Sequence, residues 1–483
     1  MQLTSDQERA YTAILDFLRK PGPQIFVLSG YAGTGKTTLL KKVLEHLEAA
    51  ERPVRLLATT GRAAKVLAQK TDRVANTLHS CLYRFDELTG GADSAGLQMH
   101  FELKSNEDLA ADLVFVVDEA SMLSHEASQY GAGIRFGSGQ VLDDLFTFVQ
   151  KRKVIFVGDL CQLPPVARSA FSAALDLPFL RKRDPKASGA QLEKVVRQAA
   201  QSEIIQAAND FRKAIVRRQW QKYPKVRFPQ TSALQVLKDH HELLGAYVKE
   251  IRTSGVQHAI MLGYANWQIA MLNHNIRGAL YPSRDLQTDE LLMVVQNNYP
   301  AGLANGDQII LRKVAYHSRR AGFTFLKVKV KALHQKEEKE VLLIRDLLYN
   351  KQAGLVRKET QRLVIDFDQR QRAKGVKRSS EAYREAMEKD PYLNALRAKF
   401  GYAITCHKAQ GGEWSKVYLN LHRSLYGLPE EQLYRWYYTA LTRASDQLYL
   451  NDGWWVADFN RRRPQAAAAM HRAAQRRKAK DKG

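Results

Sequence analysis

Four apolar residues stand in a row at 25–28, and similar short runs occupy 54–58, 113–117 and 154–157. Runs of that length, bounded by polar or glycine-rich turns, predict strands buried on both faces. Helical spacing fills the intervals: 3–19 with Thr4 or Ser5 as N-cap, 38–50, a helix after Thr59-Thr60-Gly61, and 141–150. This alternation predicts an α/β unit with a parallel sheet. From Gln191 the pattern changes to a basic helix reaching about Arg218 and a proline-containing link at 223–229. Strand 259–263 and helix 266–280 open a second α/β unit, which resumes later with strand 417–421, helix 430–444 and strand 447–450.

Two stretches break the alternation. In 81–103, Tyr83 and Phe85 alternate with Arg84 and Asp86, and Met99, Phe101 and Leu103 alternate with His100 and Glu102, around Thr89-Gly90-Gly91. That pattern predicts a hairpin with a loose tip, either an edge hairpin covering the core or a protruding wedge. Between 291 and 367, short β-rich runs (292–295, 308–311, 323–330, 341–344, 363–367) and the turn Asn305-Gly306-Asp307 predict a small β-barrel inserted in the second unit, with no long helix before Gln369. The charged stretch 369–399 is expected to be helical, and 124–139, with four glycines, to be a flexible loop.

Composition narrows the partner. Lys plus Arg number 74 against 50 for Asp plus Glu, a formal charge of +24 over 483 residues. That excess favours a polyanion, and nucleic acid over a membrane surface because no long apolar run occurs, although a basic chain can simply be soluble and basic. Length suggests two to four domains at roughly 150 residues each. Cys81, Cys161 and Cys406 lie far apart without a C-x-x-C pair, so neither a disulfide framework nor a zinc site is indicated, and small buried thiols are expected. The polar opening MQLTSDQERA has no basic and apolar blocks of a signal peptide, so a cytoplasmic location is expected. The end of the chain, 461–483, carries nine Lys or Arg and one Asp and reads as a solvated tail or as a nucleic-acid contact.

Candidate chemistry clusters at the strand ends. The run 25–28 leads into Gly30-x-x-x-x-Gly35-Lys36-Thr37, where Gly30, Gly33 and Gly35 let backbone N–H groups face a phosphate at a helix N-terminus. Lys36 then reaches the β- and γ-phosphates of a triphosphate, and Thr37 ligates Mg2+. A chance glycine-rich turn before a helix is the plainer alternative; the strand before and the helix after argue against it. Asp118 and Glu119 end the run 113–117, where a carboxylate holds metal and its neighbour orients the attacking water. Gln162 follows the run 154–157, at the same sheet edge, where an amide can sense the γ-phosphate. Gln7 suits an adenine edge, though a glutamine on a first helix is ordinarily just solvated. Thr59 and Thr60 can hold a backbone phosphate or simply cap a helix, and Thr77 to Ser80 carries the same ambiguity.

Taken in order, from Gln7 to about Leu450, these blocks resemble the superfamily one helicases, and among them the RecD-like and Dda-type DNA helicases. The resemblance implies an α/β fold of two RecA-like P-loop domains in tandem. The first occupies 1–80 and 104–190 with a pin hairpin at 81–103; the second occupies 191–286 and 399–455 with an SH3-like barrel and charged helical segment at 287–398; a basic tail covers 456–483. It implies ATP and Mg2+ as ligands. In family terms Gln7 reads adenine, and Gly30, Gly33, Thr34, Gly35, Lys36, Thr37 and Thr38 cradle the phosphates. Thr37 and Asp118 hold the metal, Glu119 activates water, Gln162 senses the γ-phosphate, and Glu413 meets the ribose. Arg197 in VVRQ and Arg443 in YYTALTRA match arginines that the second domain points at the γ-phosphate, which would make hydrolysis require closure. DNA contacts carry over to Thr59, Thr60, Thr77, His79, Asn266, Thr405 and His407. Tyr83, Phe85 and Phe101 are candidates for the strand-separating pin. The implied partners are single-stranded DNA and single/double-strand junctions, engaged by a monomer moving 5′ to 3′, with single-strand-binding, replication or repair proteins as further partners and no membrane. Two rivals remain: an ATPase of the same fold moving along RNA or DNA without unwinding, on its own or as the motor of a nuclease complex, and a non-enzymatic basic clamp. A clamp would lack Glu119, Gln162 or Arg443, and all three are present.

Overall fold

The structure is a computed structural model that describes residues 3–22, 24–89, 98–127, 134–166, 171–196, 203–227, 233–283, 285–333, 335 and 337–457. Six parallel strands form the first sheet, in the order Ala75–Thr77, Val54–Ala58, Val114–Asp118, Lys153–Gly158, Ile25–Gly30, Ser188–Leu192. Side chains alternate across it: Ile25, Val27, Phe115 and Phe156 enter one core, while Phe26, Leu28, Val116 and Ile155 enter the core under the helices Ser5–Arg19 and Lys36–Ala49. Both faces are therefore apolar, which is why these strands read as unbroken hydrophobic runs. Thr4 caps the first helix, its side chain accepting from the Gln7 N–H in a capping box.

The second sheet is also wholly parallel, in the order Leu234–Leu237, Ala444–Asn451, Trp414–Leu419, Ala259–Gly263, Ala403–Thr405. Helices Glu203–Arg217 and Glu430–Leu441 cover one face; His240–Ser254 and Asn266–Leu280 cover the other. A third, antiparallel sheet runs Glu338–Ile344, Phe323–Ala332, Gln308–Arg320, Leu291–Val294, Ala398–Phe400. It curls until its ends meet, the Ile344 N–H donating to the Leu396 carbonyl and the Leu396 N–H to the Leu342 carbonyl. The hairpin of strands Tyr83–Thr89 and Gln98–Leu103 forms with a register shift between Phe85 and Glu87, and residues 90–97 at its far end lie outside the described residues.

Three expectations need correction. Residues 363–367 are not a strand: they sit inside the helix Arg357–Ala373, because Leu363, Val364, Phe367 and Gln371 recur at helical spacing and are the residues that become buried. The charged stretch 369–399 is not one helix. It closes that helix at Gly375, which takes φ 71°, forms a second over Glu381–Lys389 and ends in the strand Ala398–Phe400. The stretch 124–139 is not simply a loop either. Ile134–Phe136 pairs parallel with Gln98–Leu103, so the hairpin root has three strands.

Candidate functional site

Because every strand of the first sheet is parallel, their carboxyl ends share one edge, where Gly30, Ala58, Thr77, Asp118 and Gly158 all emerge. The loop after Gly30 needs its glycines. Gly35 sits at φ 76°, and a Cβ there would lie 2.4 Å from Gln7 Nε2; one on Gly30 would lie 2.8 Å from Thr34 Oγ1. Gln7 is buried, donates from Nε2 to the Thr34 carbonyl (2.9 Å) and accepts the Thr4 N–H at Oε1 (2.9 Å). Both ends of its amide are thus engaged in holding the loop. Lys36 Nζ donates to the Gly30 and Tyr31 carbonyls (2.7 and 3.1 Å), closing the loop on itself. Above it opens a cavity of about 730 Å³ lined by Gly33, Gly35, Lys36, Thr37 and Thr38, with Glu413 reaching in from the second unit. Glu413 is exposed there and pairs with Lys70 at 3.3 Å.

Asp118 accepts the Glu119 N–H at 2.9 Å, and Glu119 adopts a left-handed backbone, φ 51°, uncommon for a residue with a side chain. Burial raises both carboxyls: Asp118 upward, opposed by the Glu119 N–H and Lys36, and Glu119 to about 7, with the Asp118 charge adding and Arg443 and Lys36 opposing. Among the described residues no cluster of three or more His, Cys, Asp or Glu exists to cage a metal. One carboxylate at Asp118 and one hydroxyl at Thr37, beside a phosphate cradle, instead fit Mg2+, which takes few protein ligands and completes its shell with phosphate oxygens and water.

The second unit reaches this edge through the helix Glu430–Leu441. Tyr438 donates its hydroxyl to Asp159 Oδ2 (2.7 Å) while accepting the Ala32 N–H (2.8 Å), so one phenol joins the phosphate loop to the neighbouring strand end. The Leu163 N–H donates to Thr439 Oγ1 (3.0 Å), Gln410 Nε2 to the Leu163 carbonyl (2.9 Å), and Arg435 Nη1 to the carbonyls of Leu160 and Gln162. The Arg212 guanidinium covers the Tyr31 ring at 4.5 Å. Gln162 is buried and its side-chain oxygen has no partner. Arg443 is buried and donates to the carbonyls of Thr439 and Gly412 (3.0 Å each) and to Thr442 Oγ1 (3.2 Å). Arg197 lies outside the described residues. None of Tyr438, Thr439 and Arg435 stood out in the sequence. A signal was available, since Arg435 and Thr439 lie four positions apart on one face of the helix that leads into Arg443.

A second cavity, about 1040 Å³, gathers Thr59, Thr60, Thr77, His79, Phe85 and Phe101. Arg84, Lys104, Lys389 and Arg397 also line it against one carboxylate, Glu388, giving a basic groove. Thr60 and Thr77 are also N-caps, accepting the N–H groups of Ala63 (3.1 Å) and Ser80 (3.2 Å). Burial lowers the His79 pKa, and its ring packs on Tyr83 and Phe136. Tyr83 lines the same cavity and is otherwise buried, its hydroxyl donating to Asp144 Oδ2 (2.7 Å) at the hairpin root. Phe85 and Phe101 meet edge to face at 5.7 Å, and Phe101 lies 4.6 Å from Phe136. Asn266 is elsewhere, in a 440 Å³ cavity with Trp267, Lys399 and Lys408. Thr405 is buried, accepting the Lys408 N–H at 3.4 Å, and burial lowers the His407 pKa; neither lines the basic groove.

Comparison with known proteins places this geometry in context. Residues 2–227 match the family model described as AAA domain, and residues 400–451 the UvrD-like helicase C-terminal domain. The ATP-dependent RecD2 DNA helicase of Deinococcus radiodurans is 27% identical over 467 residues, 95% of this chain and 51% of its own. This chain thus spans about half the length of that relative. The ATP-dependent DNA helicase dda of Enterobacteria phage T4 is 28% identical over 38% of this chain and 37% of its own. A crystal structure of Pif1 helicase from Bacteroides in complex with ADP-AlF3 and single-stranded DNA has a TM-score of 0.51, covering 95% of this chain and 94% of that one at 18% identity, a likeness of fold. Among the described residues no helix is long and apolar enough to cross a membrane.

Proposed function

We infer that this chain, a superfamily one protein of the RecD/Pif1-like kind, is an ATP-dependent DNA helicase that translocates on single strands, 5′ to 3′, and opens duplex. One observation carries the reading: the phosphate cradle and paired carboxylates of the first sheet face polar side chains of the second, while a separate basic groove runs past the ends of two further strands of the same sheet, Val54–Ala58 and Ala75–Thr77. An ATPase with no second ligand has no need of that groove.

In this reading Lys36 leaves the Gly30 and Tyr31 carbonyls for the β- and γ-phosphates, an exchange of neutral acceptors for charged ones. Thr37 and Asp118 would hold Mg2+, which would supply positive charge to offset that developing on the phosphates. Glu119, whose raised pKa marks it as a proton acceptor, orients the attacking water, and the unpartnered amide oxygen of buried Gln162 is free to meet it. Gln7 keeps the loop in shape and offers its remaining amide hydrogen to the base, and Glu413 meets the ribose. Arg443, with Arg197, stabilises the transferring phosphoryl group. Arg443 must first leave Gly412 and Thr439, so hydrolysis is tied to a rearrangement of the second unit.

Thr59, Thr60, Thr77 and His79 grip the strand on the first unit, with Asn266, Thr405 and His407 on the second, and backbone contacts of this kind are indifferent to sequence. The hairpin 81–103 serves as the pin, with Phe85 and Phe101 supporting its root, and the curled sheet serves as the SH3-like barrel. Each base-pair step resists by about 1.4 kcal/mol, little enough for directional stepping against a wedge.

The test is strand displacement by the purified chain on matched 5′-tailed and 3′-tailed DNA duplexes, with RNA counterparts. The 5′-tailed DNA is expected to open. ATP turnover on single strands without any duplex opening would leave a motor that does not unwind.

A further inference from the structure

The helix Gly61–Thr71, which begins directly after Thr59 and Thr60, carries a side chain that the nucleotide cleft and groove do not explain. Arg62 is buried, and among the described residues no carboxylate forms an ion pair with it; the nearby Asp307 is bound to Lys65 at 2.6 Å. Its guanidinium lies over the Trp414 indole, 3.9 Å from the ring centroid, and Nη1 donates to Gln308 Oε1 at 2.9 Å. The Nε is buried without a partner. Desolvation, reinforced by the Arg443 charge and opposed by Asp307, draws this guanidinium down to about 10. A buried, incompletely satisfied cation is costly, and a well-packed apolar residue would ordinarily be the more stable occupant.

What Arg62 touches gives that cost a purpose. Gly412 approaches so closely that a Cβ there would sit 2.5 Å from Arg62 Nε. The carbonyl of Gly412 is the acceptor for Arg443 Nη1, and the Trp414 N–H donates to the Arg443 carbonyl at 3.0 Å. Thus Gly412 and Trp414 are held from one side by Arg443 and from the other by Arg62. On the far side of Arg62, Thr59 Oγ1 donates to the Glu119 carbonyl. A continuous chain of contacts therefore runs from Glu119 through Thr59, Thr60 and Arg62 to Gly412 and Arg443.

We propose that Arg62 is a positioning residue that couples strand occupancy at Thr59 and Thr60 to release of Arg443, by clamping the Gly412–Trp414 turn from the first unit. This rests on the helicase reading above. Strand binding shifts the first turn of the helix, Arg62 carries the Trp414 turn with it, and the Gly412 carbonyl that detains Arg443 moves away. The planar stack is what transmits the shift; an ammonium on a flexible stem cannot replace it.

The measurement is ATP hydrolysis by the full chain with and without single-stranded DNA, together with strand affinity, for Arg62→Ala, Arg62→Lys, Trp414→Leu and Trp414→Phe. Strand stimulation is expected to fall roughly 5- to 150-fold, the usual span of site-to-site coupling, in all but Trp414→Phe. Strand-free hydrolysis and strand affinity stay at the unsubstituted level, and the double variant Arg62→Ala/Trp414→Leu is no worse than the weaker single. Three results overturn the proposal: full stimulation in Arg62→Lys, an equal fall of stimulated and strand-free rates, as misfolding would produce, or losses that multiply in the double variant. A failure of the unsubstituted chain to respond to DNA at all would instead remove the helicase reading.

Discussion

Arg443 occupies an unusual position for a residue meant to act on a phosphate, since three oxygens of its own unit already hold it. Those bonds keep a buried guanidinium satisfied until a stronger, charged acceptor arrives. Replacing it by alanine is expected to leave ATP binding intact and to lower strand-stimulated hydrolysis by at least about two orders of magnitude. Equilibrium binding of a fluorescent nucleotide beside steady-state turnover checks this, and a loss of only a few-fold would restrict Arg443 to holding Gly412. At this scale the sequence marked Lys36, Asp118, Glu119 and Gln162, which belong to short motifs at strand ends, and the parallel sheet brings those ends to one edge. Tyr438 and Arg62 were not marked, because their roles arise from contacts between units hundreds of positions apart in the chain, which no local pattern encodes.

The hairpin shows how alternation can mark an element without separating the roles of its residues. Alternation marked the strands, and it also placed Tyr83 among candidates for contact with the fork, whereas the tyrosine is rooted on Asp144. Its third strand, Ile134–Phe136, was hidden because three residues among glycines give too little periodicity to register. The helix Arg357–Ala373 was read as a strand in part for a related reason: a five-residue window rich in apolar residues cannot separate the two periods. Phe101 joins the central strand Gln98–Leu103 to Phe136, and aromatic pairs add about 0.5–1.5 kcal/mol beyond area burial. Phe101→Ala should therefore loosen the root, slowing unwinding of tailed duplex more than strand-stimulated hydrolysis. Equal slowing would take the hairpin out of strand separation.

Across the whole molecule, charge and topology divide the labour. The net charge of +24 predicted a polyanionic partner without saying where it lies. The first parallel sheet, by bringing its strand ends to one edge, lets both the cavity over Lys36 and the basic groove be lined from that edge. If the groove neutralises about four phosphates, single-strand affinity should drop roughly fifty-fold between 50 and 200 mM salt, from a slope near 0.7 per phosphate. Fluorescence anisotropy titrations check this, and an affinity indifferent to salt would remove the groove as the strand path. The same arrangement bears on mechanical load. A load applied along the strands of the hairpin would slide Gln98–Leu103 past Ile134–Phe136. The hydrogen bonds between them would then be strained together in shear instead of being peeled one after another, so the root is stiffer along its strands than across them.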